Sequence, residues 1–361
     1  MKGVNFYGKI DELTGYGMAT KSFALSFSLS DVQTSFKIPV TNSNKNFLLS
    51  LKNSNSDGDI DFYLSIPPWN LQKNNNYKIA YFYWETDTLP AQWKNQINKA
   101  NELWVPTVFQ KNLVLKSGFR GKVSVIPTPA IPRDFSKKAS FITKTDREIF
   151  SEEYFKFYSI FQWHDRKGYR ELIYSYLRAF KPDDKVCLVI KTNPIDGANF
   201  SNIIKDIKAI KYSTRLKYFP KIFLIADPIR EEYISALHSA CQVYVSPHHG
   251  EGWGMSLHDA MLAKKLIIST KYGGISEWLD ETNSLLLKHY EGPISGMQWN
   301  NLYSRSHNWA HPSIVSVEQQ MKNAYFNYSK LEELGNNAFE LGKNFTAEEV
   351  SKYISDRIRT I

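Results

Sequence analysis

Two series of short apolar runs, each run separated from the next by a stretch with helical spacing, constrain this chain more than any other feature. In the first series Val4 to Tyr7, Phe36 to Val40, Ile60 to Ile66, Ile79 to Trp84, Leu103 to Val105 and Val123 to Ile126 read as strands. Met18 to Leu29 carries apolar residues at helical spacing, and Pro90 to Ala100 and Phe109 to Leu115 read as later helices. The second series begins near Phe155. Its strands are Phe157 to Trp163, Val186 to Ile190, Ile222 to Ala226, Val243 to Ser246, Leu266 to Ser269 and Leu285 to Leu287. Helical segments lie between most of them, at Arg170 to Phe180, Ile203 to Ile210, Arg230 to Ala240 and Met255 to Ala263. A strand that is apolar throughout must be covered on both faces, and intervening helices supply the cover. The expected fold is therefore α/β, with two Rossmann-like domains facing across a cleft, one over residues 1–135 and one over residues 154–330.

The charged segment Ile131 to Glu153 reads as the linker, and the polar stretches Thr41 to Asn46 and Asn53 to Gly58 read as loops. From Val315 the pattern is helical, with breaks at Gly335 and Gly342. It restarts at Thr346, where Thr346-Ala347-Glu348-Glu349 fits a capping box. This last helix, within residues 340–361, is expected to bury its apolar face by packing back on the first domain.

The 361 residues suffice for two cores, and 42% apolar with 22% charged residues excludes a disordered or fibrous chain. The formal charge of +9 favours anionic partners without choosing among them. Lys and Arg look scattered, with no basic stripe, so nucleic acid is not an expected partner. The longest apolar run, Ile79 to Trp84, is strand-sized, well short of the ~20 residues that span a bilayer. Lys9, Asp11 and Glu12 interrupt any export signal, and Cys187 and Cys241 lie in apolar strand-like runs. The reading is a cytoplasmic protein without disulfides.

The informative segment is Ser246-Pro247-His248-His249-Gly250-Glu251-Gly252-Trp253-Gly254, which follows a buried strand and opens a helix. Gly250, Gly252 and Gly254 let backbone approach a ligand, and the helix start favours a phosphate. In open α/β sheets ligands bind outside the carboxyl ends of the strands, where this loop lies. Glu251 precedes the helix and Asp259 sits about one turn inside it. An acid beside a phosphate repels it, so these two are expected to hold hydroxyls. The simpler alternative makes Glu251 a helix-start acid and Asp259 a solvated surface acid, and spacing alone leaves both open. Arg166 and Lys167 in His164-Asp165-Arg166-Lys167-Gly168 follow another strand and offer charge to a diphosphate, unless this is an ordinary charged turn. Lys191-Thr192, and Gly273-Gly274 followed by Glu277, occupy the same topological position on two further strands.

Glu251-Gly252-Trp253-Gly254 with Asp259-Ala260-Met261 resembles the E-G-F-G-x4-E-A-M signature of the retaining glycosyltransferases of family four (glycosyl transferases group 1), which have the GT-B fold. Arg166-Lys167-Gly168 resembles the family's R-K-G turn, and Tyr272-Gly273-Gly274 with Glu277 its G-G-x-x-E stretch. Gly15-Tyr16-Gly17 resembles the glycine loop under the donor phosphates. Trp84-Glu85-Thr86-Asp87 with Leu89-Pro90, Val105-Pro106-Thr107 and Trp309-Ala310-His311-Pro312 are similar to bacterial members.

The resemblance implies transfer of a hexose, with retention, from a nucleotide-sugar donor on the second domain to a glycan or lipid-linked acceptor on the first. The product would be a bacterial surface polysaccharide, and the donor is a substrate, so no cofactor is expected. By that resemblance Glu251 contacts sugar hydroxyls and Asp259 the ribose. Backbone N–H groups of Gly252, Trp253 and Gly254 meet the sugar and phosphates, Gly17 lies under the phosphates, and His249 or His248 lines the sugar pocket. Arg166 and Lys167 neutralise the leaving diphosphate.

There are departures from the family pattern. Asp259 stands where Glu is usual, and the usual Arg before the Lys is missing near Phe161 and Gln162, so Arg166 or Lys191 substitutes. No histidine precedes His164, which leaves Glu85 or Asp87 as a base on the acceptor side, or the donor phosphate itself. No metal is expected. Asp57 and Asp59 have the D-x-D spacing but follow a polar loop, and His248, His249 and His258 lack a ligand-like arrangement. Lys111, Lys116, Arg120 and Lys122 are candidates for peripheral contact with an anionic membrane at its cytoplasmic face. The alternatives are a catalytically silent GT-B subunit that binds sugar or a partner, and a nucleotide-sugar epimerase.

Overall fold

The computed structural model describes residues 2–10, 14–136, 148–194, 199–226, 229–297 and 301–361. Part of the expected linker, residues 137–147, lies outside them. The chain forms two compact units: the residues up to Pro132 together with Lys343–Ile361, and Arg133–Gly342.

In the first unit β1 (Val4–Tyr7), β2 (Thr34–Lys37), β3 (Ile60–Leu64), β4 (Tyr77–Tyr81), β5 (Glu102–Val105) and β6 (Lys122–Val125) form one sheet in the order β2-β1-β3-β4-β5-β6. Every neighbouring pair is parallel. Phe6 and Phe62 on adjacent strands meet Phe27 from the helix Gly15–Leu29, at ring-centroid distances of 5.3 and 5.0 Å. That helix begins three residues before the apolar spacing does. Thr14 caps it by accepting from the Gly17 N–H, so the expected glycine turn is its first turn. A short helix, Lys45–Ser50, starts inside the expected loop at Thr41 to Asn46; it has no buried residue, hence no apolar face to betray it.

The last helix, Ala347–Arg359, buries Val350, Ile354 and Ile358 and packs against the helix Gly15–Leu29. Thr346 accepts from the Glu349 N–H, but the Glu349 carboxylate pairs with Lys352, so only half of the capping box forms. Arg357 on this helix donates through Nε to Glu102 of β5 at 2.7 Å. Glu102 is fully buried and also accepts from Trp104 Nε1 at 2.9 Å and Ser124 Oγ at 2.6 Å. Such a carboxylate is tolerated inside only because its oxygens are satisfied.

In the second unit β7 (Phe155–Trp163), β8 (Val186–Pro194), β9 (Lys221–Ile225), β10 (Val243–Ser246), β11 (Leu266–Thr270) and β12 (Leu285–Leu287) form a sheet in the order β12-β11-β10-β7-β8-β9. All its pairs are parallel. From β7 the chain builds outward through β8 and β9, then returns to the other side of β7 to lay down β10. This is the doubly wound order, and its switch point lies between β7 and β10. Leu172, Ile173 and Tyr176 of the helix Tyr169–Ala179 pack on Leu188, Ile190, Val243 and Val245 of the strands. An antiparallel hairpin, β13 (His289–Pro293) with β14 (Asn308–Pro312), was not expected from the sequence. The C-terminal helical region breaks at Asn327 and not at Gly335. The helix Tyr328–Gly342 runs through Gly335, where a Cβ would lie 2.8 Å from the Lys264 carbonyl oxygen. The glycine is there for a close approach, not for a break. Among the described residues no helix is long and apolar enough to cross a membrane.

Candidate functional site

Two loops leave the carboxyl ends of β7 and β10 at the switch point. After β7 the chain stays extended at His164, and Asp165–Lys167 make one 3-10 turn, closed by the Gly168 N–H donating to the Asp165 carbonyl at 2.9 Å. After β10, residues 247–254 lead into the helix Met255–Leu262. The His249 N–H donates to the Arg166 carbonyl at 2.8 Å, and Arg166 Nη1 donates to the Gly250 carbonyl at 2.6 Å. Gly168 makes this junction sterically feasible. Its φ is +66°, and a Cβ there would sit 1.8 Å from the Pro247 carbonyl oxygen.

Glu251 is where the loops meet. Lys167 Nζ donates to its Oε1, and Arg166 Nη1 lies 3.5 Å from its Oε2. Its backbone forms an isolated parallel bridge with Gly273, and its carbonyl accepts from the Gly274 N–H at 2.8 Å. The ends of β7, β10 and β11 thus converge on one residue, which is 8% exposed. Burial alone would raise the Glu251 pKa, but Lys167 and Arg166 outweigh it and hold the carboxyl at about 2. It is ionised at neutral pH. His248 is fully buried, donates through Nε2 to the Tyr272 carbonyl at 3.3 Å, and is lowered by burial to about 4. It is a neutral structural group and does not line a pocket.

Two cations and one carboxylate leave an excess of positive charge at the switch point. Beside them starts the helix Met255–Leu262, with no acid in its first turn and no side-chain cap. A site of this composition can hold an anionic group while offering a fixed carboxylate oxygen to a hydroxyl.

Asp259 is no solvated surface acid: it is 6% exposed, and its Oδ2 accepts from Arg133 Nε at 2.8 Å. Arg133 Nη1 also donates to Glu231 at 3.0 Å, and His238 Nε2 lies 4.0 Å from the same Asp259 oxygen. Burial pushes the Asp259 pKa up while Arg133 opposes it. Arg133 was missed because it follows Pro132 inside the expected linker, and no spacing signals a partner 126 residues away.

His249 Nδ1 bonds the Ala310 carbonyl at 2.6 Å, its Nε2 is 3.4 Å from Glu171, and its ring stacks on Trp309. The unexpected hairpin therefore fixes this histidine. Trp253 is 3% exposed and packs with Trp278 and His258, its Nε1 donating to His258 Nδ1 at 3.4 Å. Its ring is thus a core group. Lys191 lies within β8, not after it, and its buried ammonium donates to the Thr192 carbonyl and to Asn193 Oδ1. Gly252 is buried in the loop, Gly254 stands at the N-cap of the helix, and Glu277 is exposed at the end of a 3-10 turn.

In the first unit the Gly17 N–H donates to Thr14 Oγ1 at 3.1 Å, in the first turn of the helix Gly15–Leu29. Glu85 and Asp87 are half-buried in the loop after β4, where Trp84 Nε1 donates to Thr86 Oγ1 and the Thr88 carbonyl. Asp57 pairs with Lys37 at 2.6 Å. Among the described residues, no group of three or more His, Cys, Asp or Glu is arranged to hold a metal ion.

Residues 164–293 match the family model of glycosyl transferases group 1; the match starts at the loop after β7 and ends with β13. No curated protein matches in sequence. Among solved structures, a glycosyltransferase from Rickettsia africae is similar with a TM-score of 0.69 at 13% identity, over 99% of this chain and 98% of that one. Anabaena HepE in complex with UDP and glucose is similar with a TM-score of 0.68 at 13% identity, over 100% of both chains. Sucrose-phosphate synthase from Thermosynechococcus elongatus gives 0.65 at 12% identity, over 100% of this chain and 99% of that one. The fold is thus the GT-B fold, with two parallel-sheet α/β domains.

Proposed function

We propose that this chain is a retaining glycosyltransferase that moves a hexose from a nucleotide-sugar donor to a glycan or lipid-linked acceptor. The observation that carries the reading is the Arg166–Lys167–Glu251 cluster at the switch point, beside an uncapped helix start. The group 1 match over this segment and the UDP and glucose held by Anabaena HepE support it.

In the reaction the bond from the anomeric carbon to the diphosphate oxygen breaks, and its electron pair leaves with the diphosphate. The acceptor oxygen bonds to the same face, and its proton passes to the departing phosphate or to Glu85 or Asp87. Arg166 and Lys167 stabilise the charge that develops on the leaving group. Glu251, kept ionised, orients the sugar through its hydroxyls. Asp259, with Arg133 on Oδ2, serves the ribose through its other oxygen. Charge for the diphosphate comes from side chains and the helix, so activity should need no divalent ion. The pathway context is bacterial surface polysaccharide synthesis at the cytoplasmic face of the membrane.

A melting-shift screen of UDP-, GDP- and dTDP-sugars, with and without EDTA, tests this. One nucleotide-hexose should raise Tm well above its isomers, equally in EDTA. Acceptor-dependent release of nucleotide should follow with the same sugar. If no nucleotide or nucleotide sugar shifts the melt at millimolar concentration, a silent GT-B subunit replaces the transferase. The commitment of Asp259 to Arg133 is the observation that favours that second reading.

A further inference from the structure

The helix Phe200–Ser213 turns Ile203, Ile207 and Ile210 into the core of the second unit. Its period then places Lys205, Lys208 and Tyr212 on the opposite, exposed face. The chain continues through Arg215, Leu216, Lys217 and Tyr218, all exposed. The one acid between Asn199 and Pro220, Asp206, is turned inward, where it accepts from Trp163 Nε1 at 2.9 Å and Tyr169 OH at 3.2 Å. Among the described residues, Lys205, Lys208, Arg215 and Lys217 form no ion pair. Lys205 and Lys208 thus share the exposed helix face, Arg215 and Lys217 follow it in an exposed segment, and no acid of residues 199–220 is turned outward with them. Between them Tyr212 is 89% exposed, Tyr218 66% and Leu216 43%.

We propose that this face, residues 205–218, docks on an anionic lipid bilayer. The charge is complementary to acidic headgroups. Tyrosine rings and an aliphatic side chain among lysines suit the headgroup boundary, where an amphipathic ring can keep its hydroxyl wet and bury its face. A nucleic acid would use the cations but leaves Leu216 without a role. Lys111 of the earlier basic set is only half-buried on its own helix, and that set has no tyrosines beside it. The proposal does not rest on the donor chemistry.

Co-sedimentation of the full chain with phosphatidylglycerol–phosphatidylcholine vesicles, against phosphatidylcholine alone, tests it. Binding should require the anionic lipid and fall steeply in high salt. Each lysine near such a surface contributes about fivefold in affinity, so Lys205→Gln/Lys208→Gln/Lys217→Gln should weaken binding roughly 100-fold with Tm unchanged. Lys111→Gln/Lys116→Gln/Lys122→Gln should bind like wild type. Tyr212→Ser/Leu216→Ser should remove the part of binding that survives high salt. Equal binding to both vesicle types, or a triple variant at residues 205–217 that binds as wild type does, overturns the proposal. So does capture of a single-stranded oligonucleotide by this face with no vesicle binding.

Discussion

Lys167 Nζ donates directly to Glu251 Oε1, joining residues 84 positions apart at the mouth of the second sheet, with Arg166 3.5 Å from the other oxygen. In the proposed reaction that carboxylate orients the sugar, and replacing it would remove a preorganised contact. Glu251→Gln should lower turnover on the order of 100-fold, about 3 kcal/mol of transition-state stabilisation. Asp259→Asn should leave turnover far closer to wild type once the protein is folded. Steady-state release of nucleotide by both variants decides this; more than half of wild-type turnover in each would remove the pair from the reaction.

Acid should unfold the second unit in two stages. His248 and His258 are both held at about 4 by burial, below the usual 6.5. The unfolded chain takes up their protons first, so stability is full above about pH 6.5 and falls between there and pH 4. Glu251, held at about 2, adds stability that is complete above its ordinary value near 4.5 and is lost as pH falls through 2. By linkage this carboxylate accounts for about 3 kcal/mol. Urea midpoints measured from pH 8 to pH 3 should show the first limb, and His258→Gln should shorten it. A flat midpoint from pH 7 to pH 4 would contradict the neutral, buried state of both histidines.

The Arg133–Asp259 pair should matter more to folding than to turnover. Removing Arg133 leaves Asp259 buried without its cation, which costs about 3–5 kcal/mol, whereas removing the Asp259 charge leaves Arg133 its bond to Glu231 and costs less. Arg133→Met and Asp259→Asn should each lower the denaturant midpoint of the second unit. Arg133→Met/Asp259→Leu should recover most of the loss, because two apolar groups need no partner. Additive losses in the double variant would contradict a direct pair.

Two glycines at positive φ separate backbone strain from closeness. Gly118 has φ +86° with nothing within 4 Å of an added Cβ, whereas Gly168 would drive its Cβ into the Pro247 carbonyl. Gly118→Ala should cost about 1 kcal/mol. Gly168→Ala should cost several times more, and should also abolish the Tm shift given by a nucleotide sugar. Thermal melts of the two variants, with and without that ligand, make the comparison.

The sequence by itself determined the two parallel sheets and the strand ends that matter. A fully apolar strand flanked by helices has few other ways to be covered, and Glu251, Arg166 and Lys167 are local to motifs at those ends. Local signals could not report partners that sequence distance hides. Glu102 with Arg357, Asp259 with Arg133, and His249 with the hairpin carrying Trp309 each lie within one unit and are brought together only when that unit folds. Gly335 was misread for the same reason, since a glycine demanded by a neighbouring carbonyl looks like one that ends a helix. Tertiary structure also decided which polar groups are buried. Nothing in the one-dimensional pattern shows that Asp259 and the Trp253 ring are buried. Inside, an acid needs a cation and an indole needs an acceptor, and Arg133 and His258 meet those needs.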